Sequence, residues 1–277
     1  MFWSKPRPKR IGSWPPDIIV SSWSLRYCIG RGELNIMEFP LFAKRNFGVN
    51  CIEVLLNHLV AEDKTEFQRL SESASSAGVK IVCLALNNDF TLSGTDLEQE
   101  CLRTGRILRN AKILGVQIAR VNPGMHGEGT AEELAQNVAE GLRRIIPVAK
   151  ETGIRLALEN HDLFGMNPDN ILKVIQLVKT HQLVGVCLDF GNFLPDLLDT
   201  GPIRLAPYTI YVHAKSYKFD KDGNETKINY LDRIRELKQA GYQGFFSIEW
   251  EGNPNEDEIE NTQRTIQLIN KCFKQLS

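Results

Sequence analysis

Hydrophobic and polar positions follow a recurring unit along this chain: apolar residues at helical spacing, a glycine, then a short run rich in Val, Ile and Leu. The joints read Phe47-Gly48-Val49, Ala77-Gly78-Val79, Leu114-Gly115-Val116, Thr152-Gly153-Ile154 and Ala240-Gly241-Tyr242. Glycine just past a helix takes the left-handed cap, and the chain then turns at once into a buried strand. The first four joints lie 30, 37 and 38 residues apart, the size of one strand–helix unit. The apolar runs predict strands over 18–22, 50–56, 80–86, 117–122, 155–159, 184–188, 209–213 and 245–249. Near-continuous apolar runs of this length suit a parallel sheet covered by helices. Helices are expected over 168–180, 230–240 and 256–275, and Thr130 ahead of Glu132 and Glu133 marks another start, as does Asn167 before Pro168. Eight alternations in 277 residues point to a single-domain (β/α)8 TIM barrel over 17–277. A doubly wound open sheet is the nearest alternative, but no Gly-x-Gly-x-x-Gly follows the first strand.

Composition changes this picture little. With 42% hydrophobic and 24% charged residues, the chain is an ordinary globular protein, which rules out collagen, coiled coil and global disorder. The 33 Lys+Arg against 34 Asp+Glu give no net attraction to nucleic acid or to an anionic membrane. No run approaches the ~18 apolar residues of a membrane span. Residues 1–16 read as a basic, Pro-containing N-terminal tail, because Lys5, Arg7, Lys9 and Arg10 are followed by no apolar secretion segment. Six cysteines without a CxxC pair are expected to be free thiols in a reducing, cytoplasmic setting.

In such a barrel the chemistry sits where strands end. The second run carries Glu53, the third ends in Asn87-Asn88-Asp89, and the fourth passes through Arg120 to Asn122. The fifth ends in Glu159-Asn160-His161, the sixth in Asp189-Phe190-Gly191-Asn192, the seventh in His213-Ala214-Lys215 and the eighth in Glu249-Trp250-Glu251. Any one acid could simply cap the helix that follows. Glutamate is a poorer cap than aspartate, and histidine is not a capping type. Glu159, Asp189, His213 and Glu249 on four consecutive strands therefore point beyond capping. Adjacent strands lie ~4.8 Å apart, so strand-end groups can converge. Three converging carboxylates would repel one another without a cation, and a bound divalent ion resolves that repulsion. One imidazole with three carboxylates is a hard donor set that favours Mn2+, Mg2+ or Co2+ over a thiolate-type zinc.

The segments LALEN (156–160), CLDFGN (187–192), YVHAK (211–215) and GYQGFFSIEWEG (241–252) resemble the xylose isomerase-like TIM barrel superfamily. Within it the likeness is to the sugar (phosphate) isomerases and epimerases, such as the ketose 3-epimerases and inosose-processing enzymes. The resemblance implies that Glu159, Asp189, His213 and Glu249 hold one divalent metal and that Glu159 and Glu249 form the acid–base pair. It implies an enzyme that takes a proton from beside the carbonyl of a keto-sugar or polyol and passes through an enediolate. Return of the proton gives epimerisation or isomerisation. Loss of a β-substituent makes a lyase or dehydratase of an inosose or 3-keto-glycoside the alternative.

Many of the epimerases carry histidine where this chain has Asn192 and arginine where it has Phe219. Candidate substrate-binding residues are His161, Asn192, Lys215 and Glu53. Each of several has a structural alternative: Lys215 as a solvated loop lysine, Glu53 as the partner of a barrel-top Arg or Lys, Asn160 in place of His161. Trp23 and Trp250 could wall a sugar ring or pack in the core. The superfamily's apurinic-site endonucleases hold three metals, and the five histidines here, His58, His126, His161, His181 and His213, are few for that. The expected partner is a small, unphosphorylated sugar or polyol, with no nucleic acid and no membrane; a homo-oligomer is left open.

Overall fold

The computed structural model describes residues 14–180 and 182–277; most of the basic tail (1–13) and His181 lie outside the described residues. Eight strands form a closed parallel barrel in sequence order: β1 (Ile18–Ser21), β2 (Cys51–Leu55), β3 (Lys80–Ala85), β4 (Ile118–Val121), β5 (Arg155–Glu159), β6 (Val184–Asp189), β7 (Thr209–Ser216) and β8 (Phe246–Trp250). β8 pairs back onto β1. Helices Phe39–Phe47, Lys64–Ala77, Gly94–Ala111, Ala131–Thr152, Pro168–Val178, Gly201–Leu205, Tyr230–Ala240 and Glu258–Leu276 follow the eight strands in turn.

The expected punctuation is present. Gly48, Gly78, Gly115, Gly153 and Gly241 have φ between 63 and 79°, the left-handed region that a Cβ disfavours. Thr130 and Glu133 form a reciprocal capping box, so two backbone N–H groups at that helix start are satisfied at once. Asn167 caps the helix that begins at Pro168 by accepting from the Asp169 N–H. That helix stops at Val178, two residues before the expected end, because Lys179 takes the left-handed conformation (φ 59°).

One strand departs from expectation in a way that matters. β7 runs to Ser216, three residues past His213, because Lys215 pairs with Glu249 and Ser216 with Trp250 on β8. Lys215 is thus a strand residue, and at 3% exposure it is not the solvated loop lysine that was one reading.

Alternation along the strands divides the core. Outward residues such as Ile52, Val54, Leu156, Leu158, Val186 and Leu188 pack under the helices in one large cluster. Inward residues Ile19, Cys83, Ile118, Ala157, Cys187 and Tyr211 form a smaller cluster that fills the barrel. One inward position further along every strand but β3, where Ala85 follows Cys83, that apolar layer gives way to Ser21, Glu53, Arg120, Glu159, Asp189, His213 and Ser247, all buried. All six cysteines are free thiols. No helix among the described residues is long and apolar enough to cross a membrane.

Candidate active site

The polar layer is built by register. Asp189 lies level with His213, His213 with Ser247, and Lys215 with Glu249, while Glu159 is level with Cys187. Strand stagger then brings Glu159, Asp189, His213 and Glu249 together, so that one donor atom from each lies within 4.8 Å of the others. His213 Nδ1 is 2.5 Å from Glu159 Oε1 and 3.4 Å from Glu249 Oε1. Its Nε2 is 3.0 Å from Glu53 Oε2, and Ser21 Oγ donates to the other Glu53 oxygen at 2.7 Å.

Two cations serve the layer. Arg120 Nε stands 3.4 Å from Glu159 Oε2, and its Nη1 donates to the Leu86 carbonyl at 2.8 Å. Lys215 Nζ is surrounded by oxygen: Glu251 at 3.0 Å, Asn192 Oδ1 at 3.1 Å, Asp189 Oδ2 at 3.3 Å and Glu249 Oε2 at 3.4 Å. Glu251 also accepts from Trp23 Nε1 at 2.8 Å, which ties the lysine's outermost partner to the loop after β1.

These charges set the proton affinities. Burial would raise the Glu159 carboxyl, but Arg120 and His213 outweigh it and hold Glu159 well below the usual carboxylate range. Glu249 is pushed up to about 7, first by burial and then by Glu159 and Asp189, against the opposing pull of His213 and Lys215. Burial also raises Asp189. Burial disfavours the charged forms of His213 and Lys215, yet their acidic neighbours raise both well above their ordinary values.

The residues fit a divalent cation. Glu159 Oε2 and Asp189 Oδ2 are buried and accept no hydrogen bond from the described residues. Among the described residues the layer joins five carboxylates, Glu53, Glu159, Asp189, Glu249 and Glu251, to two permanent cations, Arg120 and Lys215. A buried excess of negative charge needs a counter-ion or protons. Three carboxylates and an imidazole suit Mg2+, Mn2+ or Co2+.

The other expected residues fall in varied places. Asn160 is fully buried and turned to β6: its Nδ2 donates to the Asp189 and Asn192 carbonyls at 3.0 and 2.8 Å, and its Oδ1 accepts from the Asp189 N–H at 2.8 Å. His161 is left at the mouth, half-buried, with Nδ1 2.9 Å from Asp162 Oδ1. Asp189 Oδ1 accepts from the N–H groups of Gly191 and Asn192 at 2.7 and 2.8 Å, so this residue caps a turn with one oxygen and turns the other toward Lys215 and the acidic layer. Glu53 meets no Arg or Lys at hydrogen-bonding distance among the described residues, contrary to one expectation; its partners are His213 and Ser21. Trp23 is partly exposed, whereas Trp250 is wholly buried and donates to the Tyr217 carbonyl at 3.1 Å. His58 and His126 belong elsewhere, against Ser22 and Asp89.

Sequence reasoning assigned no part to Arg120, Ser21, Glu251 or Tyr217. Arg120 carried a usable signal, a cation inside the apolar strand Ile118–Val121. Tyr217 did not: it follows β7, and only the folded chain lays its phenol over Gly191, beside Lys215.

The family model for the xylose isomerase-like TIM barrel matches residues 42–272. The chain is 28% identical over 173 residues to an uncharacterized protein of Methanocaldococcus jannaschii, covering 55% of this chain and 56% of the relative. It is 38% identical over 69 residues to a C-glycoside deglycosidase alpha subunit of Arthrobacter globiformis, 25% of this chain and 19% of that one. The match therefore spans about half the length of the first relative and about a fifth of the second. The structure of D-psicose 3-epimerase from Clostridium cellulolyticum H10 superposes with a TM-score of 0.73 at 13% identity, over 93% of this chain and 99% of that one. At that identity the likeness is one of fold.

Proposed function

We propose that this chain, which belongs to the xylose isomerase-like TIM barrel family, is a divalent-metal-dependent isomerase or epimerase of a small keto-sugar or polyol. The observation that carries the reading is the convergence of Glu159, Asp189, His213 and Glu249, with Glu159 Oε2 and Asp189 Oδ2 buried, facing Arg120 and Lys215 at ion-pair distance but accepting no hydrogen bond from the described residues. Those four residues would hold the ion. When bound, it would polarise a substrate carbonyl and the neighbouring hydroxyl, lowering the barrier to loss of the C–H proton between them.

The chain's own groups supply the proton traffic. Glu159, kept ionised by Arg120 and His213, is suited to accept a proton. Glu249, brought to about 7 by burial and its acidic neighbours, is suited to hold or release one near neutrality. They enter from β5 and β8, with β6 and β7 between them, so they approach a bound sugar from different sides. The Lys215 ammonium supplies positive charge where a substrate oxygen becomes anionic. His161 and Asn192 are the further substrate contacts in this reading.

The local likeness to a deglycosidase alpha subunit supports a second outcome on the same groups, in which proton removal is followed by expulsion of a β-substituent. Incubating the metal-loaded protein in D2O with ketoses, inososes and 3-keto-glycosides tests both. Deuterium at a carbon next to a carbonyl is the expected result, and release of an aglycone would mark elimination. No incorporation into any of them, with metal demonstrably bound, would overturn the reading.

A further inference from the structure

One wholly buried carboxylate of the layer takes no part in the chemistry proposed above. Glu53, inward on β2, is not among the four donors that share one point. Its two oxygens are spoken for by Ser21 Oγ at 2.7 Å and His213 Nε2 at 3.0 Å. Ser21 and Glu53 are level in the β1–β2 register, while His213 comes from β7, a strand adjacent to neither. The imidazole therefore has two ends with different company. Nδ1 faces Glu159 and Glu249, inside the four-donor group, and Nε2 faces Glu53.

A neutral imidazole carries its proton on one nitrogen and a lone pair on the other, and an ionised carboxylate can only accept. If Nε2–H is donated to Glu53, the lone pair lies on Nδ1 and points at the other ligands. We propose that Glu53 is a positioning residue of the metal centre, fixing the tautomer and ring orientation of His213 so that Nδ1 is the ligating atom. The inference rests on the metal-dependent reading above and moves Glu53 from substrate contact to a group that acts through His213. Ser21 anchors one oxygen of the carboxylate, which leaves the other directed at His213 Nε2. A carboxylate behind a ligating histidine also makes the imidazole a stronger donor.

The test is made on the metal-stripped full chain with Mn2+ as probe. Glu53→Leu removes the acceptor and should weaken Mn2+ binding ~10- to 100-fold. Glu53→Gln keeps volume and an acceptor oxygen but not the charge, so it should fold as wild type and lose less affinity than the leucine variant. Histidine 15N spectra of the Zn2+-loaded wild type should show His213 protonated on Nε2 and metal-bound through Nδ1, and the Nε2–H resonance should move in Glu53→Leu, where the carboxylate acceptor is gone, a change that a merely structural role would not produce. Affinities of both variants within twofold of wild type, or a proton found on Nδ1, would overturn the inference. A wild-type chain that binds no Mn2+ would instead overturn the metal reading beneath it.

Discussion

The Arg120 guanidinium faces the Glu159 carboxylate at 3.4 Å from the neighbouring strand, with both side chains buried inside the barrel. Removing one member of such a pair strands the other charge in a low-dielectric interior. Arg120→Met should therefore destabilise the metal-free protein by about 3–5 kcal/mol in urea unfolding at neutral pH. The pH dependence carries a sign. Glu159 in the folded protein sits below its unfolded value, so its contribution is present above the usual carboxylate range and is lost as pH falls. The variant should lose less stability on acidification than wild type. A cost under about 1 kcal/mol would show that the pair is not what holds Glu159 ionised.

Metal binding should compete with protons. Glu249 is raised to about 7 by burial and by Glu159 and Asp189; His213 is raised well above imidazole's ordinary value because Cys187 and the carboxylates of Glu249, Glu53 and Glu159 outweigh burial. Both must lose protons to ligate. Mn2+ affinity should then rise from about pH 6 to about pH 8, with proton release visible in calorimetry across buffers of different ionisation enthalpy. An affinity flat over that range would contradict the raised values.

Glu159→Gln and Glu249→Gln each keep an oxygen donor and remove the base. Each should cut turnover by roughly 10²- to 10⁴-fold while Mn2+ still binds at higher concentration. Asp189→Asn should act mainly through metal affinity, so excess Mn2+ should recover part of its activity. Near wild-type rates for either glutamine variant at saturating metal would make that glutamate a ligand alone.

Gly191 is the floor on which Lys215 and Tyr217 rest. A Cβ there would come within 2.7 Å of the Tyr217 hydroxyl and 3.1 Å of Lys215 Cδ. Gly191→Ala should cost about 1–3 kcal/mol by overpacking and raise KM by a larger factor than it weakens Mn2+ affinity, since the crowding falls on Tyr217 and Lys215 rather than on Glu159, Asp189, His213 and Glu249. Equal losses in KM and in Mn2+ affinity would mean that the turn after β6 shapes the metal site itself.

Mn2+ present at ~100 times its Kd should stabilise the chain by about 2.7 kcal/mol, and a chelator should reverse the shift. Thermal unfolding with and without metal measures it. Unchanged melting at millimolar Mn2+ would leave the four acidic and imidazole groups without a shared ion.

The sequence by itself determined the architecture and the neighbourhood of the chemistry. Glycine joints, capping residues and apolar runs are local signals, read within a few residues, and they carried the eight-stranded order and the strand-end positions of Glu159, Asp189, His213 and Glu249. Tertiary structure alone decided who meets whom. Alternation states which side a residue faces, but the partner across a barrel depends on stagger, which no local pattern records. So it was left to the fold to put Glu53 against His213 from a non-adjacent strand, and to turn Asn160 rather than His161 onto Asp189. The fold likewise extended β7 until Lys215 entered the acidic layer. Arg120 shows the boundary between the two: its place inside an apolar strand was legible, but its service to Glu159 exists only because β4 and β5 lie side by side in one register.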